Sequence, residues 1–444
     1  MDVGQFYIDL FFIFCMVIVP FIYFSFLIYF QYRKNGGRFD LACYILSIFA
    51  ISDVFSALMV ALDMEPAVFG NYSVSLFATV VYCLLITICT YPFIKYSNIY
   101  ILDIKPIKQI KLLKIMAVFF FLFFVIDTVM NFKILYDILT GDFGQVRHLY
   151  YTGESASRWE DRFPYIIAIA VQYLHFLLGS PWILVFLAFY SFFIQKLPAQ
   201  YGVLFLITSL IGIEGNLLSA GRSDIIYWLI GVGACLVFFS PYISKKQWKK
   251  LRLGIYPMIA LFVVLMYITT MSKFASHEDV GDMDAGSASF IAYAGQPFLF
   301  FCFFFDNFDC PMPSLEAIFP YTYFLMGKGH LGIVDLQDAI SAKSRFDLGV
   351  FYTFIGQIAV TSSNFVAILY CFFVTVLSNG FVSRTAKKVI SLRLAFFYML
   401  FASVLFLGLF SHYYAILTKT FSVIGFSFIF WFLNLKTNNG RVSK

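Results

Sequence analysis

The chain has 444 residues, of which 61% are hydrophobic and 13% are charged. Soluble domains are close to half apolar and about a quarter charged, so this composition excludes a soluble globular protein. The 59 phenylalanines fall mostly in long apolar runs, and the sequence predicts an all-α, polytopic integral membrane protein. The formal net charge of +6 does not indicate nucleic-acid binding, because short basic loops between membrane spans account for it.

Apolar runs of membrane-spanning length recur along the whole chain. A span needs about 20 apolar residues, and such runs predict about eleven transmembrane helices at approximately 5–30, 41–62, 74–95, 115–136, 164–195, 201–220, 225–243, 253–271, 355–380, 394–415 and 420–435. Gly179-Ser180-Pro181 interrupts the overlong run at 164–195, which we interpret as one long, broken or tilted helix. The apolar stretch from Phe298 to Phe305 is too short to span and is expected to be re-entrant or interfacial.

Lysine and arginine residues are concentrated in alternate loops. The positive-inside rule places these loops in the cytoplasm, so the N-terminus is expected outside and the C-terminus inside. The basic clusters are Arg33/Lys34/Arg38, Lys95/Lys105/Lys108/Lys111/Lys114, Lys245/Lys246/Lys249/Lys250/Arg252, Arg384/Lys387/Lys388/Arg393 and Lys436/Arg441/Lys444.

The predicted spans and loops divide the chain into three parts. Residues 1–271 hold transmembrane helices one to eight, with an external loop at about 137–163. Residues 272–354 form a large external loop with short amphipathic or re-entrant helices. Residues 355–444 hold helices nine to eleven and a cytoplasmic tail.

A turn of small residues from Ser219 to Asp224 joins two apolar segments and carries Arg222. On the predicted topology this turn faces away from the cytoplasm. A cation at such a place costs free energy unless an anion meets it, and the resident anion there is a lipid phosphate. Asp224 either orients the arginine or caps the next helix.

Two further motifs belong to the large loop and to the helix after it. Tyr293-Ala-Gly-Gln-Pro297 lies in the loop, and Tyr352-Thr-Phe-Ile-Gly356 opens the next span. With Gly221-Arg222-Ser223 and the Phe-rich, multi-span topology, these motifs resemble the Wzy-type oligosaccharide repeat-unit polymerases of O-antigen and capsule. The chain departs from that pattern at Thr361-Ser362-Ser363-Asn364, where relatives often show Asp-apolar-Gly.

The resemblance implies an inverting glycosyltransferase of the membrane-embedded GT-C kind in the bacterial inner membrane. Such an enzyme moves the growing glycan from one undecaprenyl pyrophosphate to the terminal sugar of a new lipid-linked repeat unit on the periplasmic side. The expected partners are therefore the lipid-linked donor and acceptor, membrane lipid and a chain-length regulator protein. No cofactor and no metal are expected.

The leaving group of this reaction would be a pyrophosphate, for which arginine provides bidentate, permanently charged hydrogen bonds. Arg222 is the first candidate, followed by Arg147 and Arg345. Each has a plainer alternative. Arg222 can snorkel to lipid headgroups, Arg147 can be a solvated loop residue, and Arg345 can pair with Asp347.

The acceptor hydroxyl needs a proton acceptor, and external histidines or acids supply one. The candidates are His148, His277, His330 and the external acids. Glu214 is a further candidate catalytic residue inside a span, about two turns before Arg222 on the same predicted helix, where it either neutralises that arginine or positions an acceptor. Candidate substrate-binding residues are Asp224, Ser223, Tyr150, Tyr151, Tyr293, Gln296 and Tyr352. Aromatic side chains at these depths also form interfacial belts.

Three other membrane functions remain open from the sequence. A flippase or other transporter of lipid-linked oligosaccharide would show related halves and a charged central cavity. An O-antigen ligase would place a histidine in the large loop, where His330 lies. A membrane acyltransferase would need a buried histidine with an aspartate, and His175 is a candidate for which the sequence shows no partner.

Overall fold

A computed structural model of the chain describes residues 3–62, 64, 74–140, 164–218, 223–249, 251–253, 257, 260, 264, 285–328, 333–344, 346, 348 and 352–434. The structure is 79% helical. The helices of the described residues are Val3–Lys34 (α1), Leu41–Ala61 (α2), Leu76–Lys95 (α3), Ile110–Thr140 (α4), Tyr165–Leu178 (α5), Pro181–Phe189 (α6), Ala199–Thr208 (α7), Ile211–Leu218 (α8), Ser223–Phe239 (α9), Ala285–Asn307 (α10), Pro320–Leu325 (α11), Ile333–Ser344 (α12), Phe354–Thr361 (α13), Asn364–Val382 (α14), Leu392–Phe406 (α15) and Leu417–Leu433 (α16). Two short strands, Asp103–Ile104 (β1) and Val389–Ile390 (β2), pair in parallel.

The described helices confirm a polytopic α-helical membrane protein. Seven of them are long and apolar enough to cross a bilayer, and α5 with α6 makes an eighth candidate that is bent by 63°. The bend lies at the Gly179-Ser180-Pro181 break, and Pro181 begins α6. The predicted spans at 201–220, 394–415 and 420–435 correspond to shorter apolar helices, and the run 253–271 lies mostly outside the described residues.

Helix α10 corrects the expected organisation of the large loop. The stretch Phe298–Phe305 is not a short interfacial segment, because it forms part of the 23-residue helix α10. Residues Ser287–Asn307 of this helix meet the length and hydropathy of a membrane span. Residues 285–297 of this helix, which precede Phe298, are too small and polar to be recognised in the sequence as part of an apolar run. They are helical in the structure, where α10 packs against α2 and α3.

The chain folds into two compact units, each assembled from segments that are distant in sequence. The first unit comprises Met1–Tyr100, His277–Ala386 and Tyr398–Thr420. In this unit α10 runs antiparallel to α3, since Phe298 contacts Tyr82 while Phe305 contacts Phe77, with ring centroids 4.9 and 6.0 Å apart. The C-terminal end of α10 therefore lies beside the N-terminal end of α3.

The predicted span at 355–380 is two helices folded back on each other. Helix α13 has eight residues, ends at Thr361 and is followed by α14, for which Ser363 provides the N-cap. The ring centroids of Phe354 and Tyr370 lie 6.5 Å apart, so the start of α13 reaches the middle of α14. Of these two helices, α14 alone is long enough to span a bilayer.

The second unit comprises Ile101–Ser276, Lys387–Phe397 and Phe421–Lys444. Its core is aromatic: Trp182 stacks on Phe396 with ring centroids 5.8 Å apart, and Phe396 packs on Phe430 at 4.4 Å. The β1–β2 pair also belongs to this unit, with Asp103 opposite Val389 and Ile104 opposite Ile390. This pairing places the loop after α3 and the loop after α14 side by side.

Candidate functional site

Two described helices flank the segment that carries Arg222. Helix α8 ends at Leu218 and α9 begins at Ser223, and the four residues between them, including Arg222, lie outside the described residues. Asp224 lies in the first turn of α9 and is 9% exposed, where a carboxylate is favoured by the helix dipole. Ser223 is partly exposed at the same helix end.

Glu214 lies in the first turn of α8. Its predicted place on one helix with Arg222 stays a prediction, because Arg222 lies outside the described residues. Its side chain is 6% exposed. The Thr128 hydroxyl donates to Glu214 Oε2 at 2.7 Å, and Oε1 is buried with no hydrogen-bond partner among the described residues. A bound substrate cannot reach this carboxyl group without a rearrangement of the helices around it.

Asp127 and His175 form a pair that the sequence did not reveal. Asp127 on α4 is 2% exposed, and its Oδ1 lies 3.3 Å from Nε2 of His175 on α5. The Asn131 amide also donates to Asp127 Oδ1, at 3.2 Å. His175 is therefore not a histidine without a partner, and it is the most accessible member of the group, with its side chain 25% exposed.

These side chains define what we call the acid–histidine cluster: Asp127, Thr128 and Asn131 of α4, His175 of α5 and Glu214 of α8. Two helix breaks adjoin it in the chain, at 179–180 before α6 and at 209–210 before α8. Ionisable groups inside membrane helices are costly and are usually functional. Two carboxyl groups and one imidazole in such surroundings are suited to hold and exchange protons.

The Tyr293–Pro297 motif lies inside α10 and not in an external loop. The hydroxyls of Ser52 and Ser56 donate to the carbonyls of Ala294 and Gly295, both at 2.6 Å. A Cβ atom on Gly295 would lie 2.7 Å from the Phe55 backbone. The motif is therefore a close contact between α10 and α2. Because Gly295 has no side chain, α2 can approach closely, and the two serine hydroxyls donate to carbonyls in the helical turn before Pro297. Two predicted substrate-binding residues of this motif, Tyr293 and Gln296, are half-buried on this helix.

Tyr352 is fully buried, which leaves no surface for contact with a sugar in this conformation. Its hydroxyl donates to the Leu348 carbonyl at 3.1 Å and accepts from Gln337 Nε2. Thr353 next to it is the N-cap of α13, with its hydroxyl accepting from the Gly356 amide. The Tyr-Thr-Phe motif thus begins a helix, as expected, but its tyrosine secures α12 and α13 to each other.

The remaining predicted site residues lie outside the described residues. They are Arg222, Arg147, Arg345, His330, His148, Tyr150 and Tyr151. In the part of the chain that the structure describes, no group of three or more His, Cys, Asp or Glu side chains is arranged to hold a metal ion.

One feature of the sequence pointed to the acid–histidine cluster: it places three ionisable residues inside predicted spans. Asp127, His175 and Glu214 each fall in a predicted span, but their separation along the chain hides the fact that they meet. No family model, no curated protein and no solved structure matches this chain.

Proposed function

We propose that this chain polymerises lipid-linked oligosaccharide repeat units as a membrane-embedded glycosyltransferase. The growing glycan would pass from one undecaprenyl pyrophosphate to the terminal sugar of another lipid-linked unit, with inversion at the anomeric carbon. The observation that carries the proposal is the position of the Gly221-Arg222-Ser223 turn, directly between α8, which holds Glu214 of the acid–histidine cluster, and α9. A cationic group and a proton acceptor are the two elements that this transfer needs.

The proposed topology keeps eleven crossings with the N-terminus outside and the C-terminus inside. The β1–β2 pair supports it, because the loops holding Lys105 and Lys388 are adjacent and both are basic. The antiparallel α10 and α3 indicate that α10 ends on the outer side, where α3 begins. Helix α10 then replaces the run 253–271 as a crossing, and residues 308–353 follow it on the outer side.

On this topology the acid–histidine cluster belongs to the outer part of the membrane. Asp127 precedes Phe132, the last residue of the span-length stretch of α4, by five residues, or about 7–8 Å along the helix axis. The phosphates and first sugar of a polyprenyl pyrophosphate lie at the outer interface, close to this depth. This placement also disfavours an acyltransferase, whose activated acyl donors are supplied from the cytoplasm.

Arg222 would bind the departing pyrophosphate, with Arg147 and Arg345 as further cations of the outer loops. The planar guanidinium group makes paired, charge-assisted hydrogen bonds to phosphate oxygens. Charge on the leaving oxygen grows as the glycosidic bond breaks. A cation in surroundings sheltered from water stabilises that charge more than it stabilises the ground state.

The test is the polysaccharide profile of a deletion strain carrying Arg222→Ala. We expect normal amounts of membrane-inserted protein but only single repeat units, because the leaving-group charge is no longer stabilised. Arg33→Ala is the matched control, since Arg33 is exposed and contacts Tyr29, its Nε donating to the phenol oxygen at 3.0 Å. Long polymer from Arg222→Ala would exclude Arg222 from the reaction.

A transporter is the second candidate, and the broken helices favour it. Discontinuous helices with ionisable groups at their breaks form the ion and substrate sites of many transporters, and α5–α6 and α7–α8 are both interrupted. The deletion strain separates the candidates. Collapse of a polymer ladder to one unit indicates a polymerase, complete loss of surface glycan indicates a flippase, and free polymer on the carrier lipid indicates a ligase.

A further inference from the structure

We propose that His175, oriented by Asp127, is the general base that removes the proton from the acceptor hydroxyl. The inference rests on the proposed glycosyl transfer and assigns its proton acceptor. It assigns the role to a residue that is not among the sequence candidates for the base, which are His148, His277, His330 and the external acids. The observation behind it is the 3.3 Å contact between His175 Nε2 and Asp127 Oδ1 inside the membrane.

The geometry fixes which nitrogen is available. With Nε2 directed at the Asp127 carboxylate, that nitrogen carries the hydrogen and donates it, so Nδ1 has the free lone pair. Asn131 donates to the same carboxylate oxygen at 3.2 Å and holds it in place. The ring of Phe123 packs edge-on against the imidazole with centroids 5.2 Å apart. The imidazole is therefore positioned from two sides.

Accessibility separates His175 from the two carboxyl groups of the cluster. Asp127 is 2% and Glu214 is 6% exposed, whereas the His175 side chain is 25% exposed. Helix α5 buries only Val171 and Leu178 among its residues. Of the three ionisable side chains, the imidazole is therefore the one with an appreciable surface for contact with a substrate.

Few other charges face this imidazole. Glu214 of α8 is the second acid, bonded by Thr128. The other titratable side chains described on α4, α5, α7 and α9 are Lys111, Lys114, Tyr136, Tyr165, Tyr173, Tyr201, Asp224, Tyr227 and Cys235. Of these, Tyr201 is covered by the Lys114 ammonium at 5.2 Å. Residues 421–433 of α16 carry no titratable side chain. The Asp127 carboxylate is therefore the group that stabilises a protonated His175.

The proposed step balances without any further reactant. The acceptor oxygen attacks the anomeric carbon of the donor glycan, and its proton moves to His175 Nδ1. The bond between the anomeric carbon and the pyrophosphate oxygen breaks, and the pyrophosphate leaves with the electron pair. The resulting imidazolium is paired with Asp127 until it releases the proton to water.

The test uses purified full-length protein in phospholipid vesicles. The substrate is the undecaprenyl-pyrophosphate-linked repeat unit extracted from a strain that lacks this chain. We expect His175→Ala to lower kcat by about 100-fold or more with little change in KM, because general bases contribute factors of this size. Added imidazole should restore part of the rate. Gln172→Ala, at an exposed position of the same helix, should keep the wild-type rate and should not respond to imidazole.

The pH profile distinguishes catalysis from a structural role. The wild-type rate should rise with pH as His175 loses its proton, and His175→Ala should lack this rise. Asp127→Asn removes the negative charge that favours the imidazolium, so it should lower kcat and shift the rise to lower pH. Asp127 is a positioning residue on this account, because it acts through His175.

Each outcome decides the inference. A wild-type protein that makes no polymer in vesicles would contradict the proposed function itself. A wild-type protein that polymerises, together with a His175→Ala variant of unchanged kcat and pH profile, would overturn only the role of His175. If His175→Ala does not fold, Asp127→Asn decides, and an unchanged pH profile in that variant would equally overturn it.

Discussion

Two buried aspartates in apolar helices show how differently the same residue is used in the two units. Asp53 of α2 is fully buried, and its described hydrogen bond is from the Tyr82 hydroxyl at 3.2 Å. Tyr82 is itself enclosed by Phe298 and Phe301, at centroid distances of 4.9 and 5.4 Å. Asp127 of α4 is equally buried, but its partner is a quarter-exposed histidine.

The difference lies in the partner rather than in the aspartate. A phenol that is closed off by phenylalanines cannot exchange a proton with a substrate, so the Asp53–Tyr82 pair links α2 to α3. A partly exposed imidazole can exchange a proton, and a carboxylate that bonds it adjusts its basicity. Burial of a charged residue therefore does not by itself indicate catalysis; the exposure of its hydrogen-bond partner is the more informative observation.

The largest expected effect comes from separating α10 from α2, because Phe298 and Phe301 of α10 enclose Tyr82, the partner of Asp53. Gly295→Val places a Cβ atom within 2.7 Å of the Phe55 backbone, and α2 and α10 cannot approach as closely as they do. Overpacking against backbone should cost about 3 kcal/mol or more. We expect a strong loss of folded protein, measured by the yield of the monodisperse peak and by the Tm of the purified protein.

Gly380→Ala on α14 is the control for this prediction, because a Cβ atom there meets nothing within 4 Å. It should give a normal yield and a Tm equal to or above that of the wild type, since alanine favours the helix. A Gly295→Val variant with a wild-type Tm would show that the α2–α10 contact is looser than the structure has it.

A smaller effect is expected at Glu214, where a substitution should change stability but leave activity nearly unchanged. Glu214→Gln keeps an acceptor for Thr128 and removes a buried ionisable group, so the free energy of unfolding should rise by about 1 kcal/mol. The transfer rate should stay within about threefold of the wild type, a difference of less than about 1 kcal/mol in the barrier. Thermal melting and initial rates measure the two quantities.

Glu214→Ala provides the contrast within the same position. It leaves a cavity and removes one of the two acceptors of the Thr128 hydroxyl, which keeps the Phe124 carbonyl at 3.0 Å. Stability should fall by about 1–3 kcal/mol. A Glu214→Gln variant that loses most of its activity at normal stability would contradict this prediction and assign Glu214 a part in the reaction.

The smallest effect is expected at Asp53. Asp53→Asn keeps an oxygen that accepts from Tyr82, so the free energy of unfolding should change by less than about 1 kcal/mol. The rate and its pH profile should match the wild type, because the pair contributes no exchangeable proton. An altered pH profile in Asp53→Asn would remove the distinction between the two aspartates.

The sequence was sufficient wherever one element determines its own structure. Helices α2, α3, α9 and α14 are long apolar runs bounded by polar or basic residues. Their length follows from the thickness of a bilayer. The helix start at Thr353 also follows from local residues. In each case, the signal and the structure lie within a few residues of each other.

Packing between distant segments decided the rest. The turn at Ser362-Ser363 folds one apolar run into two helices, and the serines of α2 extend α10 beyond its apolar part. His175 meets Asp127 only because α4 and α5 pack together, which no pattern within either helix records. The apolar composition by itself determined that the chain crosses a membrane many times, since burial in lipid depends on the length and hydropathy of each run. Which buried polar groups face each other was decided only by the tertiary structure, because a side chain's partners depend on helices that are remote in sequence.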